Sequence, residues 1–581
     1  GRLAAFLREG ELWARSLEDG REWPLATGVG YAANPDYVMC SPLLRKYGLP
    51  HGPLAVAWSP DSRRLLTHRT DQSGVRKVPL VDALPAGGGA PEPLTLRQPY
   101  PGDEHVPRAE LVVIDVLTGD LVRADAEPVP MSVMSPITMR WAWWAEDGSA
   151  AYYLAWPGGD VRTLELNRLD PATGAVTRLA TETGPTRVEP GQEPAVRPAV
   201  RVLAGGEVLW YSQRDGWGHL SLDGAQLTSG AWAVREILHV DEERRVVYFT
   251  ASGLVAADPY RRTVCRVGLD GTGFARVTDD DLDHAAVAAP GGGYFVDSAS
   301  TVCDPPVLSV RGWDGRVLVS LGSADVSGLE ATGWSPPERF RVTAADGVTD
   351  VYGVLYRPHG FDPATRYPVL DHLYPGPQTA RVSPAFDPGF LGYDAEVAAS
   401  LGYVVVALDG RGTPGRSKAF HDAPFADGLA DHVAALEQLA AARPWMDLDR
   451  VGAFGHSGGG FATVRAMLEH PRLYRAGVAE SGMHDHRYYL SGWGDAYEDD
   501  AVPSNVDLAD RLQGELLLVH GGLDENASPY LTLRLAERLI AADKDFELLL
   551  VPRADHMLIG YERYVARRRW AFLARHLRPG G

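Results

Sequence analysis

The chain has 581 residues, too many for one hydrophobic core, so two or more domains are expected. Its apolar and charged fractions are those of a globular protein, and it has no run of about 18 apolar residues that would span a bilayer. A net charge of −20 repels phosphate backbones and anionic lipid, which argues against nucleic acid and membrane surfaces as partners.

The opening residues, Gly1-Arg2-Leu3-Ala4-Ala5-Phe6-Leu7, read as a strand of a repeat already under way. With no secretory signal visible, a cytoplasmic location is expected. To about residue 330 the pattern is short alternating strands separated by turn residues. Ala57-Trp-Ser-Pro-Asp-Ser-Arg-Arg-Leu-Leu-Thr67 is the clearest unit, and Trp141 to Leu154 repeats it around Glu146-Asp-Gly148. Weaker copies run over 202–211, 237–250 and 285–296, each followed by a turn such as Asp170-Pro-Ala-Thr-Gly174 or Asp270-Gly-Thr-Gly273. Four strands per unit of roughly 40 to 50 residues is the pattern of propeller blades. The aromatic residues then pack blade on blade, and need no ligand to explain them. The cysteines Cys40, Cys265 and Cys303 are too widely spaced for a disulfide framework or compact metal site and read as small buried apolar side chains.

Near Trp334-Ser-Pro-Pro-Glu338 the pattern changes. Residues 1–334 are therefore expected to form the propeller and 335–581 a second domain. A hairpin over 340–358 is followed by buried strands at 367–374 and 403–408, a helix at 428–442, and strands at 451–454, 476–479, 515–519 and 546–551. Helices are expected at 461–469, 530–542 and 561–577. Strands alternating with helices predict a doubly wound, mostly parallel sheet. In such sheets the active site lies beyond the C-terminal strand ends.

Gly455-His-Ser-Gly-Gly459 joins one of these strands to a helix. That is Gly-x-Ser-x-Gly in strand–turn–helix context, a nucleophile elbow of the α/β-hydrolase type, where flanking glycines let strand and helix approach around a strained serine. The hydrolase order, serine then acid then histidine, selects Asp524 in His520-Gly-Gly-Leu-Asp-Glu-Asn526 and His556 in Val551-Pro-Arg-Ala-Asp-His556. A serine hydroxyl is a weak nucleophile alone. His556 would take the Ser457 proton, and Asp524 would hold the imidazole in the right tautomer. Glu525 and Asp555 flank these residues, but a one-residue shift aims their side chains elsewhere.

Together with Trp58-Ser-Pro-Asp61, Tyr374-Pro-Gly-Pro377, Asp409-Gly-Arg-Gly412 and Asp524-Glu-Asn526, these motifs resemble the prolyl oligopeptidase clan of serine peptidases, closest to its dipeptidyl peptidase IV branch. The resemblance covers most of the chain. It implies a β-propeller plus α/β-hydrolase fold, short peptides as substrates, cleavage after proline or a small residue, no cofactor, no metal and a homodimer. It further implies an oxyanion hole from the Tyr374 hydroxyl and the Gly458 N–H. Tyr489, Trp493, Met483 and Ala527 would line the pocket for the residue before the cleaved bond, and Asn526 would bind a substrate carbonyl. One departure stands out. The dipeptidyl branch grips the substrate amine with a Glu-Glu pair, whereas the matching stretch here, Tyr31 to Gly48, contains no glutamate. Asp36 or the Asp103-Glu104 pair are candidate substitutes; the adjacent pair Glu242-Glu243 reads as a hairpin turn. His484-Asp485-His486 has no distant third ligand and is not read as a metal site. The alternatives to a peptidase of broad use are an amide or ester hydrolase, or maturation peptidase, with one dedicated substrate. From a different class, a propeller binding protein with an inactive hydrolase domain would also carry this architecture.

Overall fold

The computed structural model describes residues 2–28, 30–36, 54–85, 87–131, 134–192, 197–387, 395–492 and 502–578. The N-terminal part is a series of separate antiparallel sheets. The first has three strands, Leu3–Arg8, Glu11–Ser16 and Glu22–Ala26. The second is built on Arg64–Asp71 paired with Arg108–Asp115 and sends out a two-stranded ribbon, Lys77–Asp82 with Glu92–Arg97. Four four-stranded sheets follow, beginning at Ala142, Arg201, Ala233 and Asp283, each with its strands in sequence order.

First strands of neighbouring sheets touch, as Ala57–Trp58 does Ala142–Trp144 and Ala233–Asp241 does Asp283–Ala288. The sheets therefore stand around a common axis as propeller blades, with apolar clusters between them. Turn chemistry sets the blades locally. Asp170 accepts hydrogen bonds from the N–H groups of Ala172 and Thr173 (2.8 and 3.2 Å), and Gly174 completes that turn at φ 81°.

The last blade strand ends at Ser323, and an eight-stranded sheet begins at Glu338. Its spatial order is Glu338–Thr343, Asp350–Tyr356, Val404–Asp409, Tyr367–His372, Met446–His456, Tyr474–Glu480, Glu515–Gly521 and Glu547–Val551. The first two pairings are antiparallel and the rest parallel. Every residue of Val404–Asp409 is buried, as expected where helices cover both faces. Separate apolar clusters fill the two sides, one around Leu436 and Leu468, the other around Phe454 and Leu573.

Boundaries differ modestly from those expected. The strand before the serine runs Met446–His456, and the following helix starts at Gly458 rather than 461. The helix expected from 428 starts at Phe425, directly after Pro424. Cys265 is buried as anticipated, but Cys303 is exposed, its thiol directed at the Pro337 carbonyl in the connection between domains. Cys40 lies outside the described residues. No helix among the described residues is long and apolar enough to cross a membrane.

Candidate active site

The serine sits where strand meets helix. Ser457 has φ 57° and ψ −117°, a region costly for a residue with a side chain. Close packing holds it there. A Cβ at Gly455 would lie 2.5 Å from the Leu373 carbonyl oxygen, and one at Gly460 would lie 2.5 Å from that of Glu480. The same Glu480 oxygen accepts the Ser457 N–H at 2.8 Å, so the elbow is anchored to the neighbouring strand.

His556 Nε2 is 3.0 Å from Ser457 Oγ, and His556 Nδ1 is 2.8 Å from Asp524 Oδ2. Asp524 is fully buried in the turn after Glu515–Gly521, and its Oδ1 accepts the N–H groups of Asn526 and Ala527 at 2.9 and 2.8 Å. Burial pushes the Asp524 carboxyl up, but the attraction of His556 and hydrogen bonds from His520 and His556 outweigh this and hold it well below the carboxylate range. For His556 burial likewise opposes the charged form, yet the Asp524 charge and hydrogen bond prevail and the imidazole rises above 6.5. The neighbours do not compete for the histidine: Asp555 Oδ1 accepts the Ile559 N–H, and Glu525 points away into a buried site.

Tyr374 follows the strand Tyr367–His372, and its hydroxyl accepts a hydrogen bond from Gln378 Nε2 at 2.8 Å. It reaches over the elbow, since a Cβ at Gly458 would lie 3.8 Å from that hydroxyl. Gly458 opens the helix, where a backbone N–H has no acceptor within the helix. Met483, Tyr489 and Ala527 meet in one apolar cluster with Phe461, Leu490 and Leu531. The Tyr489 hydroxyl donates to Asn526 Oδ1 at 2.6 Å, joining the two expected substrate-binding residues. Trp493 lies outside the described residues.

Some contributors were not apparent from sequence. His520 lies one helical-turn spacing before Asp524, with Nε2 3.1 Å from Asp524 Oδ2 and 2.7 Å from the Ala527 carbonyl oxygen. The motif around Asp524 contained it, but its orientation comes from the Thr532 hydroxyl 2.7 Å from Nδ1. The propeller contributes too. Gln98 Nε2 donates to the Asn526 carbonyl oxygen at 3.0 Å, the Pro99 carbonyl accepts the Ser491 N–H at 3.0 Å, and Leu80 and Leu96 of the ribbon pack on Leu523. A cavity of about 270 Å³ lies on this seam, lined by Pro99, Asp103, Met131, Trp156 and Ser491 among others.

Of the candidate substitutes for the absent glutamates, Asp103 is bound bidentately by Arg76 and Glu104 is exposed; the Asp36 N–H donates to Gln72 Oε1 at 3.3 Å. Residues 37–48 of the stretch Tyr31 to Gly48 lie outside the described residues. Glu242 and Glu243 do sit in the hairpin between Ala233–Asp241 and Val246–Ser252. His484 Nδ1 faces Asn505, His486 Nδ1 faces Ser504, and Asp485 binds Arg487 and Arg534, so the three side chains are separately engaged. Among the described residues no group of three His, Cys, Asp or Glu is placed to hold a metal ion.

Residues 1–306 match the profile described as the dipeptidyl peptidase IV (DPP IV) N-terminal region, and residues 389–580 match that of the prolyl oligopeptidase family. "Probable dipeptidyl-aminopeptidase B" of Emericella nidulans is 28% identical over 601 residues, covering 95% of this chain and 64% of that protein. "Dipeptidyl peptidase 8" of Homo sapiens is 29% identical over 367 residues, 57% of this chain and 39% of that protein. The chain thus spans less than two thirds of the length of these curated relatives. The crystal structure of Porphyromonas gingivalis dipeptidyl peptidase 4 has the same fold, with a TM-score of 0.81 at 22% identity, covering 99% of this chain and 82% of that one. With one of these profiles spanning more than half of its length and the other most of its C-terminal sheet, the chain belongs to the prolyl oligopeptidase family, in the branch with a dipeptidyl peptidase IV-type propeller.

Proposed function

We propose that this chain is a serine peptidase that cleaves short peptides through an acyl-enzyme on Ser457. The observation that carries the reading is the unbroken relay from Ser457 Oγ to His556 (3.0 Å) to buried Asp524 (2.8 Å). In this reaction His556 Nε2 accepts the Ser457 proton as Oγ bonds to the substrate carbonyl carbon. The Tyr374 O–H and Gly458 N–H hold the resulting oxyanion. The imidazolium then protonates the leaving amine nitrogen, the C–N bond breaks, and water repeats the sequence to release the acid.

Preference for proline or a small residue is supported by the compact apolar cluster of Met483, Tyr489 and Ala527 beside Asn526, whose amide would bind the preceding carbonyl. We place the division of labour at 334/335, with the propeller restricting access and residues 335–581 carrying the chemistry. A homodimer is also proposed. The edge strand Glu547–Val551 exposes Leu548 and Leu550, and Ile540 and Tyr564 on nearby helices are exposed as well, the kind of open apolar edge that a second copy covers. The deciding experiment is labelling by a fluorophosphonate probe, expected for the wild type and absent in Ser457→Ala. Equal labelling of both would end the serine assignment.

A further inference from the structure

Inside the propeller, three arginines gather where the rest of the molecule is acidic. Arg140 immediately precedes the blade whose first strand is Ala142–Trp144, and Arg197 and Arg201 lie at the start of the next, Arg201–Val202. Glu236 belongs to the first strand of the blade after that, Ala233–Asp241. Arg201 Nη2 lies 3.4 Å from the Ile237 carbonyl oxygen beside Glu236, and the charges of Arg140, Arg197 and Arg201 all act on Glu236, so the four side chains share one wall.

The wall is at the end nearest the catalytic domain. Arg235, the extra residue of a β-bulge beside Glu236, has Nη1 only 2.5 Å from where a Cβ of Gly415 would stand. The Gly415 N–H donates to Gln192 Oε1 at 3.1 Å, and the Lys418 N–H to the Gly216 carbonyl at 2.8 Å. The beginnings of these blades therefore abut the hydrolase domain.

Two of the guanidiniums are unspent. Arg201 is held by the Pro198 and Val200 carbonyls, both 2.7 Å from Nη1. The guanidinium groups of Arg140 and Arg197 have no hydrogen-bond partner or close ion pair among the described residues, and both residues are exposed. Arg140 is also fixed in an unfavourable backbone conformation, φ 59°. Nearby acids do not neutralise the group: Asp283 is bound to Arg262 (2.6 Å), and Glu236 alone faces Arg201, Arg262, Arg140 and Arg197. Burial, and then the charge of Arg140, draws Arg197 below the guanidinium range, although its side chain touches water. Arg197 thus meets both water and protein, a setting in which like charges are held close with incomplete screening.

We propose that Arg140, Arg197 and Arg201 form a carboxylate-binding site at the hydrolase-facing mouth of the propeller channel, and that it selects acidic peptides for the active site. The paired donors of a guanidinium match the two oxygens of a carboxylate. In a chain of net charge −20, a local cationic group would also draw an anion inward against the overall field. The selection rests on the peptidase reading. The binding does not, and the test separates them.

Binding is measured to Ser457→Ala, in which nothing is turned over, using a proline-containing peptide with one Asp and its Asn analogue. A second pair carries a C-terminal acid or amide, and inorganic phosphate serves as a free anion. At low salt at least one acid form is expected to bind roughly tenfold more tightly than its neutral partner, with the gap closing as salt is raised. Adding Arg197→Gln, or independently Arg140→Gln, should reduce it to about twofold or less, whereas Arg197→Lys should retain most of it. The pair that responds identifies the source of the carboxylate, side chain or C-terminus. Equal affinities in both pairs, a gap that survives both glutamine variants, or binding of phosphate without any discrimination between peptides would each overturn the proposal.

Discussion

Asp524 and Glu525 are adjacent, both carboxyls are buried, and they are driven in opposite directions. Asp524 is held low by His556 and His520 against the effect of burial. For Glu525 the penalties win: burial first, then the Asp524 charge, push it up to about 8 against a backbone hydrogen bond and the attraction of His556, and its Oε2 has no hydrogen-bond partner among the described residues. Glu525 is thus neutral in the folded protein at pH 7 but ionised when unfolded, since the ordinary value is 4.5. The native state then binds more protons than the unfolded state between those values, and stability falls as pH rises through that window. Glu525→Gln removes the effect. Its melting temperature relative to the wild type should improve between pH 5 and pH 8, and an offset independent of pH would refute the assignment.

With His556 as the proposed base, its raised proton affinity is expected to set the acid limb of activity. Burial disfavours the imidazolium, but Asp524 more than compensates, so the free base is lost as pH falls through a value above 6.5. A profile of kcat/KM should bend there. Asp524→Asn should move the bend downward and lower kcat about 10⁴-fold by favouring the wrong tautomer. An unchanged bend in that variant would show that another group titrates.

Tyr374 is expected to act on the transition state rather than on substrate affinity. Tyr374→Phe should lower kcat about 10² to 10³-fold with KM nearly unchanged. A rise in KM at constant kcat would instead make the tyrosine a wall of the substrate pocket.

Asp103 is committed to Arg76, and the stretch Tyr31 to Gly48 carries no glutamate, so grip on a free amine is expected to be weak. Xaa-Pro chromogenic substrates with free and blocked amines should differ only modestly in kcat/KM. Complete dependence on the free amine would show that some other acidic group takes the glutamates' place.

Gly460 tests how the elbow is braced. Its absent Cβ would stand 2.5 Å from the Glu480 carbonyl oxygen that also accepts the Ser457 N–H. Gly460→Ala should destabilise the fold by about 1–3 kcal/mol and reduce activity through displacement of that oxygen. Unchanged melting and activity would mean that the strand yields freely.

Much of the architecture was legible because its signals are local. Alternating strands with Asp-Gly turns mark blades, and apolar strands alternating with helices mark the parallel sheet. The elbow is readable because its glycines stand at fixed spacing around one serine, although the atoms that demand them, the Leu373 carbonyl and the Tyr374 ring, come from the neighbouring strand end. The order of Ser457, Asp524 and His556 follows from successive strand ends. Element ends were less legible: the strand before Ser457 begins at Met446 because pairing with Tyr367–His372 extends it, which no local propensity records. Cys303 read as buried, but it lies in a loop between two strands of the last blade, where its thiol faces the Pro337 carbonyl of the interdomain connection, so its exposure depends on how two domains meet.

What the sequence by itself determined is the chemistry: a strained serine, a histidine and an acid in the order a hydrolase sheet requires. Only tertiary structure decided what surrounds them. Gln98 reaches Asn526 across 428 residues of chain, and Leu80 and Leu96 cover Leu523, because a ribbon from one blade folds onto the other domain. The opposed protonation of Asp524 and Glu525 depends on which partners each carboxyl meets after burial. The convergence of Arg140, Arg197 and Arg201 exists only because separate blades bring their first strands to one axis. Such effects come from fields and contacts between distant segments, and no spacing along the chain encodes them.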